Sequence, residues 1–174
     1  MQLRILMIKE PELFQLPIHH VDNNIFLHFR ISNINEWTNA YREDSQELEI
    51  SEFVNSNINW FPVDIDDNFK LTNIDPIIMI PFHNNEYNYL VIDGNHRLSY
   101  HIKKNMKSIK VINIAEVSVT ESNIFASGFD KYYYIFMNEL NHMARGTHYF
   151  KKNAIELMYT SFLTDGKLKF YTTE

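Results

Sequence analysis

In the middle of the chain the apolar residues fall into short unbroken runs. Ile77–Ile80 is one of these, the pattern of a strand covered on both faces. Asp75-Pro76 precedes it, and a residue before proline is pushed out of the helical region, so any earlier element stops there. His83-Asn84-Asn85-Glu86 is a polar turn, and Tyr87–Ile92, apolar but for Asn88, reads as a second strand. The two runs predict a hairpin with a longer loop. Asp93-Gly94 breaks the second run. From Asn95 the spacing becomes helical, with Leu98, Tyr100 or His101, and Ile102 on one side and Lys103 and Lys104 opposite. Asn105 stands where a left-handed residue closes a helix. Ile109–Ile114 is a further strand.

The flanks are less regular. Leu3–Ile8 reads as a short strand, and Pro11 and Pro17 punctuate the segment after it. Ile25, Leu27 and Phe29 alternate as in a half-buried strand. Residues 36–56 carry Trp37, Tyr41, Leu48 and Phe53 among many acids and read as partly helical and mostly exposed. From Ser122 the period is helical: Phe125, Phe129, Tyr132 or Tyr133, Phe136, Leu140 and Met143 recur three or four apart. Gly146 ends that helix, Thr147 caps a second one to about Leu163, and Leu168–Tyr171 follows the Asp165-Gly166 turn as a terminal strand. The expected fold class is α+β. The expected division is a domain over residues 1–118, with a core at 75–114, and a helical extension over 119–174 packed on it.

Composition narrows the function classes. The chain has 174 residues, 45% of them hydrophobic, with a formal net charge of −6. That suits a globular fold and disfavours broad nucleic-acid binding, which needs many Lys and Arg to neutralise phosphates. There is no cysteine, which removes disulfides, thiolate nucleophiles and cysteine-based metal sites together. Charges interrupt the N-terminal segment, and no apolar run reaches the length of a membrane span. The expectation is a cytoplasmic protein with no membrane partner.

The chemistry concentrates at Asp93–Arg97. A glycine at the end of a strand permits a sharp turn. The helix behind it exposes N–H groups that lack an intrahelical partner, at the positive end of its dipole. Anions bind at such places. His96 and Arg97 add side-chain donors, and the guanidinium fork matches phosphate oxygens. Cations in a first helical turn oppose the dipole unless an anion or an acidic neighbour offsets them. Between Gly94 and Ala115 there is no acid, whereas Arg97, Lys103, Lys104, Lys107 and Lys110 all fall there, a local basic island in an acidic chain.

The segment IDGNHRLSY resembles the signature of the ParB/sulfiredoxin-like superfamily, and the resemblance runs from Asp75 to Ile114. It implies a small mixed sheet with helices and a site for the phosphates of ATP or CTP, accompanied by Mg²⁺. Gly94, Asn95, His96 and Arg97 would hold the phosphates, and Asp93 and His96 would be the catalytic pair. The superfamily includes chromosome-partition CTP switches, sulfiredoxins, free-serine kinases and nucleases, so activity must be argued from the site. Sulfiredoxins carry a cysteine in this turn, where this chain has Asn95, and that activity is excluded. A partition role is disfavoured, because little chain remains after Ile114 for a DNA reader and a dimerising tail. The implied function is hydrolysis or transfer of a terminal phosphate, to water or to a small-molecule acceptor. The alternatives are a non-catalytic nucleotide- or partner-binding module and, less favoured, a DNA-processing protein.

Other candidates weigh less. Asp93 can equally be a turn-stabilising side chain. Asp64, Asp66 and Asp67 lack the glycine and distal glutamate of a calcium loop and read as a solvated loop. His19 and His20 are adjacent and diverge. His142 and His148 read as satisfied histidines at a helix end, and Tyr132–Tyr134 as packing residues with hydroxyls reaching solvent. Nothing local supports Glu36 or Glu43 as catalytic carboxylates. No metal ligand is assigned.

Overall fold

In the computed structural model, residues 13–19, 24–55, 57–83 and 86–145 are described. The N-terminal strand expected at Leu3–Ile8, the helix capped by Thr147, the Leu168–Tyr171 strand, His20 and His148 lie outside them. Strands β1 (Leu13–His19) and β2 (Asn24–Arg30) form an antiparallel hairpin of their own. Helix α1 (Ile31–Ala40) and a single 3₁₀ turn at Arg42–Asp44 lead to β3 (Gln46–Glu49), α2 (Ile50–Asn55) and β4 (Ile58–Asn59). The remaining elements are β5 (Ile77–Pro81), β6 (Tyr89–Asp93), α3 (Asn95–Lys103), β7 (Ser108–Asn113), α4 (Glu116–Glu121) and α5 (Gly128–Arg145).

The main sheet has the order β3-β7-β5-β6-β4. β5 pairs antiparallel with β6 and parallel with β7, while β3 is antiparallel to β7 and β4 parallel to β6. The result is a mixed α+β fold. Side chains alternate between the two faces of a strand, and both faces of β5 are covered. Ile77 and Met79 join Val91, Leu98, Val111 and Phe53 in one cluster. Ile78 and Ile80 join Leu90, Ile92, Ile112, Leu27, Phe29 and Tyr134 in the other. The unbroken apolar run at Ile77–Ile80 follows from this double burial. α3 therefore covers one face through Leu98, and the β1–β2 hairpin and α5 share the other.

The C-terminal region departs from its expected pattern. Helix does not run from Ser122. α4 ends at Glu121, Phe125 makes an isolated antiparallel bridge to Phe29, and α5 starts at Gly128. The 118/119 division falls inside α4. On α5, Phe129, Tyr132, Phe136 and Leu140 are exposed, whereas Asp130, Tyr134, Ile135, Asn138 and Glu139 are buried. Tyr134 is fully enclosed, and its hydroxyl donates to the Pro81 carbonyl at 2.6 Å rather than reaching solvent. Among the described residues no helix is long and apolar enough to cross a membrane.

Candidate functional site

β6 delivers the chain to Gly94, which has φ +95° and ψ 16° and precedes the first residue of α3. This left-handed conformation strains any side chain, and space is short as well. A Cβ at Gly94 would lie 2.4 Å from Ile77 Cγ2 and 2.9 Å from Arg97 Nη2. The turn is tight because β5 runs directly beneath it. No side chain caps the helix start. The N–H groups of Asn95, His96 and Arg97 thus have no intrahelical acceptor, and the Leu98 N–H donates to the Gly94 carbonyl.

The predicted site residues are brought together, but in unequal roles. Arg97 is buried, 8% exposed. Its Nη2 donates to Asp93 Oδ2 at 2.6 Å and to the Pro76 carbonyl at 3.2 Å. Its Nε is buried without a hydrogen-bond partner among the described residues. The cation set against the helix dipole is thus offset by an acidic neighbour four residues earlier. Asp93 is held by Arg97, in the turn-stabilising role. Asn95 Oδ1 accepts from the Phe61 N–H at 2.8 Å, and Ser99 Oγ accepts from the Val63 N–H at 2.9 Å. The Asn95 side chain therefore pins Phe61 beside α3, as Ser99 does Val63. His96 alone of the group is exposed.

The basic island is partly neutralised by the acidic loop that reads as solvated in sequence. Lys103 pairs with Asp67 at 2.6 Å and donates to the Ile65 carbonyl. The Lys103–Asp67 hydrogen bond holds the Asp67 carboxyl below its ordinary value and the Lys103 ammonium above its own. Both groups lie in solvent, where such pairs add little stability. Lys104 stands 5.8 Å over the Tyr100 ring.

Beyond Arg97 lies a groove of about 600 Å³ between α3, β7 and the stretch before β5. Tyr100, His101, Lys107 and Lys110 line it together with Arg97. Its two acids are already engaged: Glu47 accepts from Ser108 Oγ at 3.0 Å, and Asp75 pairs with Arg42. Of the predicted quartet only Arg97 reaches this groove. In sequence the two lysines belong to a basic face, with no signal that a cavity separates them from Arg97. Nor does the sequence signal that His83, Glu116 and His142 converge, since they lie on three separate segments.

Fold and corner together describe a mixed α+β protein with a strand–glycine–helix turn at the edge of a cationic groove. No protein-family model, curated protein or solved structure matches the chain.

Proposed function

We propose that this chain binds the phosphates of a nucleotide, ATP or CTP, at the start of α3. The observation that carries the reading is Gly94: its left-handed turn leaves the first N–H groups of α3 uncapped beside a buried arginine whose Nε lacks a partner among the described residues. Uncapped amides at the positive end of a helix attract anions, and His96 stands exposed there to add a donor. The neighbouring groove is of the size that encloses small ligands. Tyr100 lines that groove, and Lys107 and Lys110 offer further charge in it.

The residues suit the phosphates better than they suit a protein-built magnesium site. Asp93 is the carboxylate of the corner, and Arg97 holds it. Mg²⁺ would therefore arrive on the nucleotide, as it often does where few carboxylates are offered. Asp93 would have to leave Arg97 to act as a base. Binding is thus the better supported part of the reading, and hydrolysis or transfer of the terminal phosphate is its extension.

Thermal denaturation with ATP, CTP and inorganic pyrophosphate, with and without Mg²⁺, tests the proposal. A ligand of the native state raises the midpoint. His96→Ala should leave the ligand-free midpoint in place and weaken binding about tenfold, the loss of one charge-assisted contact. No rise with any of these ligands would overturn the reading. If binding is found, phosphate release lost in Asp93→Asn with binding retained assigns an enzyme. Binding without release assigns a module.

A further inference from the structure

A second polar cluster lies on the opposite side of the sheet from α3. His83 follows the end of β5, Glu116 opens α4 and His142 stands in the last turns of α5. Glu116 Oε2 is 2.8 Å from His142 Nε2 and 4.0 Å from His83 Nε2. All three candidate ligand atoms lie within 4.8 Å of one another, and the imidazole centroids are 4.7 Å apart at 62°. The side chains are largely enclosed, at 13%, 18% and 22% exposure for His142, His83 and Glu116.

An ordinary ion pair needs one histidine. Here two imidazoles turn the same nitrogen toward one carboxylate oxygen. His83 is also fixed in place by the helix that carries His142. Its N–H donates to Asn138 Oδ1 at 2.7 Å and its carbonyl accepts from Asn141 Nδ2 at 2.8 Å. Its Nδ1 lies 3.5 Å from Asn88 Oδ1. A proton on Nδ1 would leave the Nε2 lone pair for a metal ion. Partners of this kind orient the ligands of metal centres.

We infer that His83, Glu116 and His142 bind one divalent transition-metal ion of the Zn²⁺ type. Metal–ligand bonds of about 2.0–2.1 Å in a tetrahedron set ligand atoms about 3.4 Å apart. The 2.8 Å pair would open and the 4.0 Å pair would close by about 0.6 Å each, a side-chain adjustment. Two nitrogens and one carboxylate suit zinc, cobalt or iron rather than calcium or magnesium, which prefer all-oxygen sites. Three protein ligands leave a position for water or a substrate atom. The ion would also tie the β5–β6 connection, α4 and α5 together, so binding would stabilise the fold.

Co²⁺ titration of the chelator-treated full chain tests this, because the ion reports its ligands by visible absorption. The expected result is a band that saturates at one equivalent, is displaced by Zn²⁺, and accompanies a rise in thermal midpoint. Glu116→Gln, His83→Gln and His142→Gln should each weaken binding at least tenfold. These variants keep hydrogen-bonding ends, and far-UV circular dichroism of each metal-free protein confirms folding. If one fails to fold, the other two decide. His28→Ala is the control: its ring pairs with Asp130, away from the cluster, and it should bind Co²⁺ as the wild type does. No saturable band in the wild type, or a band unchanged in the folded variants, would overturn the proposal.

Discussion

Replacing Gly94 by alanine would set a methyl group 2.4 Å from Ile77 Cγ2 on a backbone at φ +95°. Left-handed strain costs about 1–3 kcal/mol, and overpacking against a fully buried isoleucine adds about 1–3 kcal/mol. We expect Gly94→Ala to lose at least about 2 kcal/mol in urea denaturation, whereas exposed His96→Ala stays within about 0.5 kcal/mol of wild type. The glycine's role was readable from sequence, because a strand that ends in Asp-Gly before a helix turns too sharply for most side chains. Asn105 was readable as the left-handed residue that closes α3, and its φ is 51°. The pairing of Asp93 with Arg97 was not. Two residues on either side of a strand-to-helix corner share no common periodicity, and only the turn itself brings them to 2.6 Å. Asp93→Ala would leave a largely buried guanidinium without its counter-ion and should cost about 3 kcal/mol.

Among the elements, β5, β6 and β7 were readable from their apolar residues, most plainly β5, whose burial on both faces wrote itself as an unbroken run, whereas β3 and β4 were not predicted. Helix α5 was readable as a helix ending before Gly146, but its buried face was not, because that face differs from the apolar stripe in its sequence. It buries Asp130 and Asn138, whose side chains bond to the His28 N–H and the His83 N–H. Such long-range polar partners leave no trace in hydrophobic spacing. Tyr134 carries a testable consequence. Burial, with Glu116 nearby, pushes its phenol well above the ordinary value of 10.0, although the bond from Asn138 acts the other way. The folded chain keeps this proton where the unfolded chain releases it. Stability contributed by the neutral phenol is therefore present below pH 10 and falls as pH rises past it, by up to about 1.4 kcal/mol per pH unit. Tyr134→Phe should flatten that alkaline decline. At neutral pH it should cost about 1 kcal/mol for the lost bond to Pro81. Denaturant midpoints of both proteins from pH 8 to 11 check both statements.

On the scale of the molecule, the stretch from Arg42 to Asn59 was hard to read, since its elements are only two to six residues long, yet it borders the candidate site. β3 brings Glu47 to the groove, opposite Lys110 on β7. Residues 61–67 lie along α3, held by Asn95, Ser99 and Lys103. The double variant Asn95→Ala, Ser99→Ala should free that segment. We expect faster hydrogen exchange at the Phe61 and Val63 amides, while the buried β5 and β6 amides keep their protection. Phosphate binding at the uncapped start of α3 is tested most directly by amide-resolved NMR of the full chain titrated with ATP and CTP. We predict saturable shifts of the Gly94–Arg97 amides, with further shifts at Tyr100, Lys107 and Lys110. Gly94–Arg97 amides that stand still through the titration would contradict phosphate binding at this corner.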